Sequence, residues 1–208
     1  GKTTIKEWLA TLLKQNYQLV KSPKSYNSKL GVALSVLGLH EEAEIAVFEA
    51  SLTHEGDGTL FNELIKPTHS IIGHVGDKYN ENFASNKDKA KEYKSFLKDS
   101  KVVFSADSKA QNFVTNEQEL IKVILEDQTS EVGLSQKLKA ENAAISKRVA
   151  SHFEITIPKA FAFSDVVMRL ETFDGINDSL IINDTYSLDI DSLEAALQYQ
   201  SSVAKSKR

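Results

Sequence analysis

The sequence predicts an α/β protein built on a mostly parallel sheet flanked by helices. Short apolar runs without alternation, such as Ile45-Ala46-Val47-Phe48 and Val102-Val103-Phe104, read as strands buried on both faces. Stretches of helical period fall between those runs, the order expected of βαβ units. A length of 208 residues, 41% hydrophobic and 26% charged, is ordinary for a globular chain able to bury a sizeable core.

Each element follows from local pattern. Trp8, Leu9, Leu12 and Leu13 repeat at helical spacing and predict a helix to about Gln15. Ser22-Pro23-Lys24-Ser25 reads as a loop. Leu30 to Leu37 predicts a helix capped from Ser25–Ser28 and stopped at Gly38. Ile45 to Phe48 is a strand ending at Glu49, and Leu60, Leu64 and Ile65 mark a helix stopped by Pro67. Ser70 to Gly73 is the next strand, with a loop over His74 to Asn82. Ser85 to Lys98 is a charged helix whose lysines read as a solvated face, and Val102 to Phe104 is a strand. Glu117 to Glu126 fits helix or strand equally. Gln136 to Phe153 is helical, Leu180 to Ile182 is a strand, and Asp191 to Val203 is an amphipathic helix capped near Asp189, Asp191 or Ser192. A boundary near Phe163–Arg169 divides the chain into units 1–164 and 165–208.

Composition narrows the function. A net charge of -4 argues against a general nucleic-acid binder, and no apolar run approaches the ~18 residues of a membrane span. The absence of cysteine excludes disulfides, zinc–thiolate sites and cysteine nucleophiles, and fits a cytoplasmic setting. His40, His54, His69 and His152 show no metal-ligand spacing, and His74 reads as a loop histidine.

The chemistry begins at Gly1-Lys2-Thr3-Thr4, the closing half of the phosphate-loop pattern G-x-x-x-x-G-K-S/T, directly before a helix. That pattern expects a buried strand ahead of it, so the chain is expected to start inside its own loop. Exposed N–H groups at Gly1 to Thr4 and the helix dipole favour phosphate. Lys2 neutralises β- and γ-phosphate oxygens, and Thr3 completes a magnesium shell. Glu49 closes a strand and offers a hard carboxylate oxygen to the same ion. Asp184 closes the late strand, again at a carboxyl end where ligands collect in such sheets.

The order of these residues resembles the ATP-binding central domain of the Mur ligase family. It resembles most the members that add D-alanyl-D-alanine to UDP-N-acetylmuramoyl-tripeptide, in the form fused to alanine racemase in Bacteroidetes-type bacteria. The resemblance rests on Gly1 to Leu9, on Ser22 to Val32, on Phe48-Glu49-Ala50-Ser51 and on Ile65-Lys66-Pro67-Thr68 leading to Glu81-Asn82-Phe83. Met168-Arg169-Leu170-Glu171 and Ile182-Asn183-Asp184-Thr185-Tyr186 resemble segments that open the C-terminal ligase domain. The likeness is clear over about residues 1–105, weak over 106–160 and clear again over 165–199.

The resemblance implies a P-loop NTPase-like central domain lacking its first strand, ATP and Mg2+ as cofactors, and amide formation through an acyl phosphate. It implies Lys2 and Glu49 as catalytic residues, Thr3 and Glu49 as magnesium ligands, and Asn27 as a substrate contact. Gly1, Lys2, Thr3, Thr4, Asn142, Arg169 and Asp184 are the implied nucleotide contacts. The implied partners are the UDP-sugar tripeptide, D-alanyl-D-alanine and a fused racemase domain.

Three positions depart from the family pattern. Tyr79 stands where a magnesium-linked histidine is usual, Tyr93 where a carbamylated lysine is usual (with Lys91 and Lys94 close by), and Ser187 where an asparagine is usual. A neutral tyrosine is a poor magnesium ligand. These departures keep open a second reading, a non-catalytic domain used for binding or scaffolding. An unrelated P-loop kinase is a third, but it needs a strand-end aspartate where Phe48-Glu49 supplies glutamate.

Overall fold

The computed structural model describes residues 1–77, 79–124, 134–158, 161–186 and 190–204. Helix α1 (Lys2–Leu13) buries Ile5, Trp8, Leu9, Leu12 and Leu13 on one stripe, the face its period dictates. Strand β1 (Leu19–Lys21) follows, then α2 (Lys29–Leu37) and β2 (Ile45–Val47). β1 and β2 pair in parallel, Leu19 opposite Ile45. α2 starts as expected at a serine, Ser28, whose hydroxyl accepts the Gly31 N–H at 3.2 Å, and it ends at Gly38. Gly31 admits no side chain, since a Cβ there comes 2.9 Å from the Tyr26 backbone.

Helix α3 (Asp57–Ile65) leads to β3 (His69–Ile72), and α4 (Asn86–Leu97) leads to β4 (Val102–Ser105) and β5 (Glu119–Lys122). β3, β4 and β5 form a parallel sheet with β4 in the centre. All four β4 residues are buried because both faces are covered. Val102 and Phe104 join the cluster of Ile5, Leu9, Leu12, Ile145 and Val149 beneath α1 and helix α5 (Leu134–His152). Val103 points the other way, into the cluster of Leu97, Ala110 and Phe113 under α4. The alternation of one strand thus builds two cores.

Helices α3 and α4 approach closely at Gly58. The Glu92 carboxylate of α4 accepts the N–H groups of Gly56 at 3.0 Å and Gly58 at 2.7 Å, satisfying donors that the start of α3 leaves open. Beyond α5, β6 (Glu171–Asp174) and β7 (Leu180–Asn183) pair antiparallel, and α6 (Ile190–Ala204) packs on α5. Among the described residues, no helix is long and apolar enough to cross a membrane.

The α/β architecture with parallel strands flanked by helices is the one the sequence predicts. Three local readings change. β1 is a strand in a stretch given no element by its pattern, and β6 is a strand that periodicity did not reveal. The ambiguous segment from Glu117 is a strand over Glu119–Lys122 because β4 offers it a parallel edge; residues 125–126 lie outside the described residues, as do Ser187 and Asp189.

Candidate nucleotide and metal site

The site is built where the start of α1 meets the chain leaving β2. Glu49 follows β2 and is only 4% exposed, so its carboxylate needs partners from the protein. Its Oε1 accepts the Thr3 hydroxyl at 3.0 Å and the Asn27 amide at 2.7 Å. Its own N–H donates to the Ser22 hydroxyl at 3.0 Å, which locks the strand end against the β1–α2 loop. Glu49 Oε2, fully enclosed, accepts no hydrogen bond among the described residues.

The Lys6 ammonium lies 3.8 Å from that oxygen and is itself 2% exposed at the side chain. Lys6 is held in place by the carbonyls of Ser22 at 3.0 Å and of Lys24, and by Glu7 at 3.0 Å. Burial opposes ionisation of Glu7, but its bonds with Lys21 and Lys6 prevail and hold its carboxyl below the usual range. Sequence reasoning missed Lys6. The available signal was a lysine on the apolar stripe of α1, one turn after Lys2.

The later part of the chain closes over the same place. Arg169 donates from Nη2 to the Thr3 hydroxyl at 3.3 Å, and its guanidinium lies 4.0 Å over the Tyr186 ring. Tyr186 in turn accepts the Ser25 hydroxyl. Asp184 accepts the Leu170 N–H at 3.1 Å, which fixes the backbone beside Arg169. Trp8 stacks on Phe163 at 4.4 Å and donates to the Ser164 carbonyl, tying the 161–164 segment to α1. Asn142 of α5 faces Gly1 so closely that a Cβ there comes 3.0 Å from its Oδ1.

The fold therefore brings Gly1, Thr3, Asn27, Glu49, Asn142 and Arg169 together, with Asp184 one residue removed. Lys2 lines the adjoining cleft, and Thr4 turns into the body of the protein, 9% exposed. Of the three departures, Tyr93 and Tyr79 fall among the described residues. Tyr93 stacks on Phe113 at 4.6 Å beside the second core, and burial pushes its hydroxyl pKa up. Tyr79 caps a short 3₁₀ turn in the left-handed region, at φ 65°. Ser187 is outside the described residues. His74 Nδ1 sits 3.6 Å from the Asp107 carboxylate.

Comparison with known proteins decides the family. The Mur ligase middle domain profile matches residues 1–164. The chain belongs to this family. It is 31% identical over 85 residues to the UDP-N-acetylmuramoyl-tripeptide–D-alanyl-D-alanine ligase of Bacillus subtilis, covering 41% of this chain and 19% of that enzyme. It is 36% identical over 75 residues to the ligase of the same name from Borreliella burgdorferi, covering 36% of this chain and 16% of the relative. Among solved structures, MurF ligase from Thermotoga maritima in complex with ADP superposes with a TM-score of 0.79 at 21% identity. That match covers 95% of this Mur ligase family chain and 54% of the Thermotoga one. MurF from Acinetobacter baumannii gives 0.78 at 18% identity, over 95% and 51%. The chain spans about half the length of these structures, and its matched segment covers about a fifth of the Bacillus relative.

Proposed function

We propose that the chain is the ATP-handling part of a ligase of peptidoglycan precursor synthesis. In this reading the enzyme joins D-alanyl-D-alanine to UDP-N-acetylmuramoyl-tripeptide through an acyl phosphate, in the cytoplasm, with a racemase domain as a further fused part. Residues 1–164 are its ATP-binding unit and 165–208 the opening of its ligase domain. The observation that carries the reading is the Thr3–Glu49–Asn27 cluster at the start of α1, half-buried around the buried Glu49 carboxylate.

The cluster fits magnesium. Its donors are hard oxygens, and Glu49 Oε2 is buried with a lone pair unspent. Thr3 and Glu49 are the residues that would hold the ion, and when bound it supplies charge neutralisation on transferring phosphoryl oxygens. The chain's own groups do the rest. The α1 N-terminus and Lys2 would meet the phosphates, Arg169 adds a second cation beside Thr3, and Asn27 holds Glu49 in place and would help position the UDP-sugar peptide. Positioning and charge neutralisation are the protein's main contribution in such chemistry.

The unit reading also accounts for a cleft of about 400 Å3 between β2 and β3. Among the described residues, the edge of β2 away from β1 and the edge of β3 away from β4 carry no strand. Both line the cleft, with Ile5 and Leu9 of α1 and Val149 and Phe153 of α5 around it. One more parallel strand, the buried one that the phosphate-loop pattern calls for ahead of Gly1, fits there and joins the two sheets.

Tyr93 favours a second reading, nucleotide binding without turnover, since its ring is committed to Phe113. Phosphate release by the full-length protein separates the two. Release that requires ATP, the UDP-tripeptide and D-alanyl-D-alanine together is the expected result. Nucleotide binding without release establishes the second reading instead.

A further inference from the structure

His69 opens β3 and His152 closes α5; 83 residues separate them in sequence, yet their Nε2 atoms lie 3.2 Å apart. The rings meet at 66° with centroids 5.2 Å apart. Neither residue takes part in the Thr3–Glu49–Asn27 cluster. Two imidazole nitrogens at this distance share a single proton, one donating and the other accepting. A cation in place of that proton is offered both lone pairs.

We propose that His69 and His152 form a two-histidine site for a divalent ion that prefers imidazole, with zinc the ion its spacing fits. Zinc–nitrogen bonds of about 2.0–2.1 Å in tetrahedral array set two ligand nitrogens about 3.3 Å apart. The observed separation matches that bite. Magnesium and calcium, which take oxygen ligands, are excluded by the donor type.

The rings are placed by their surroundings. The Thr68 hydroxyl sits 3.0 Å from His69 Nδ1, the outer-shell contact that orients a ligating imidazole and leaves Nε2 for the metal. His69 packs on Phe153 at 5.0 Å, and His152 stands edge-on to Phe104 at 5.3 Å and to Phe153 at 5.5 Å. Apolar walls compete for neither Nε2 atom. His152 also ends a helix of 19 residues, where the macrodipole favours positive charge. Lys101 is the charge that acts against a cation at His69. Among the described residues no third histidine, cysteine or carboxylate completes a cluster, so water fills the remaining positions, and the exposure of His152 lets it in.

The test is a calorimetric titration of the untagged, EDTA-stripped full-length protein with zinc chloride, with imidazole NMR signals followed in parallel. One zinc per chain is expected, with the His69 and His152 signals moving and those of His40, His54 and His74 staying. His69→Ala and His152→Ala should each weaken binding at least ~10-fold, the loss of one of two chelating ligands, while His40→Ala leaves it unchanged. Magnesium should leave the His69 and His152 signals where they are, since it takes oxygen ligands. Equal zinc affinity in His152→Ala and the parent chain overturns the proposal, as does no heat at millimolar zinc. If His69→Ala does not fold, the NMR signature of the parent chain decides alone: zinc that moves other histidines and spares this pair overturns it.

Discussion

Replacing Glu49 with glutamine is expected to cut phosphate release by the full-length enzyme by ~10³-fold, about 4 kcal/mol of lost charge stabilisation. Glutamine keeps the shape and still offers an oxygen to Thr3 and Asn27, so the hydrogen bonds at Oε1 survive. It removes the charge from the buried oxygen that no donor satisfies. Breaking a buried ion pair costs ~3–5 kcal/mol when the partner is stranded. Here Lys6 keeps Glu7 and two carbonyls, so a smaller loss of about 1–2 kcal/mol in stability is expected. Urea unfolding and steady-state phosphate release, run on the same preparation, separate the two effects. A variant with unchanged turnover removes Glu49 from the chemistry.

The largest stability effect is expected from Gly58→Ala. A Cβ at Gly58 overlaps the Glu92 carbonyl oxygen and comes 2.9 Å from its carbon. Those are backbone atoms of α4 and cannot swing aside as a side chain would. Relief requires α3 and α4 to separate, which loosens the Glu92 carboxylate bonds to Gly56 and Gly58 and the Asn62 amide bond to the Phe96 carbonyl at 3.0 Å. Overpacking plus weakened buried hydrogen bonds puts the loss at ~3 kcal/mol or more, lowering Tm by roughly 6–12 °C for a chain of this size. Gly38→Ala is the control. Its φ is -81° and its Cβ comes 3.3 Å from the Ser35 carbonyl, a contact relieved by a small shift. A Gly58→Ala melt no lower than that of Gly38→Ala refutes the close-approach argument.

The fold was legible where strands are buried on both faces. Val102-Val103-Phe104 announces itself because neither face needs a polar residue; Ile45-Ala46-Val47 reads the same way and is a strand, but Ala46 is exposed and its neighbours are half-buried. β1 did not announce itself, since three residues between Gln18 and Ser22 carry too little period to register. β6 runs from Glu171 to Asp174, and its charged ends hide a strand that exists because β7 pairs with it. Glu119–Lys122 was ambiguous on its own, and the free edge of β4 decided it.

In the site, Thr3, Glu49 and Asn27 came from motif order, and the fold brings them together. Lys6 and Ser22 did not, because what makes them matter is burial beside Glu49, which no spacing encodes. The His69–His152 pair is the extreme case. Sequence spacing carries no ligand motif for them, because the two meet only where the start of β3 lies beside the end of α5.

In the proposed function Thr3 and Glu49 form a magnesium–nucleotide site at the start of α1. Calorimetric titration of full-length protein with ADP, in magnesium and again in EDTA, tests this most directly. Binding that weakens at least ~10-fold without magnesium, and by the same factor in Glu49→Gln, is the predicted result, the differential a lost carboxylate ligand gives. Equal ADP affinity in magnesium, in EDTA and in the variant contradicts it.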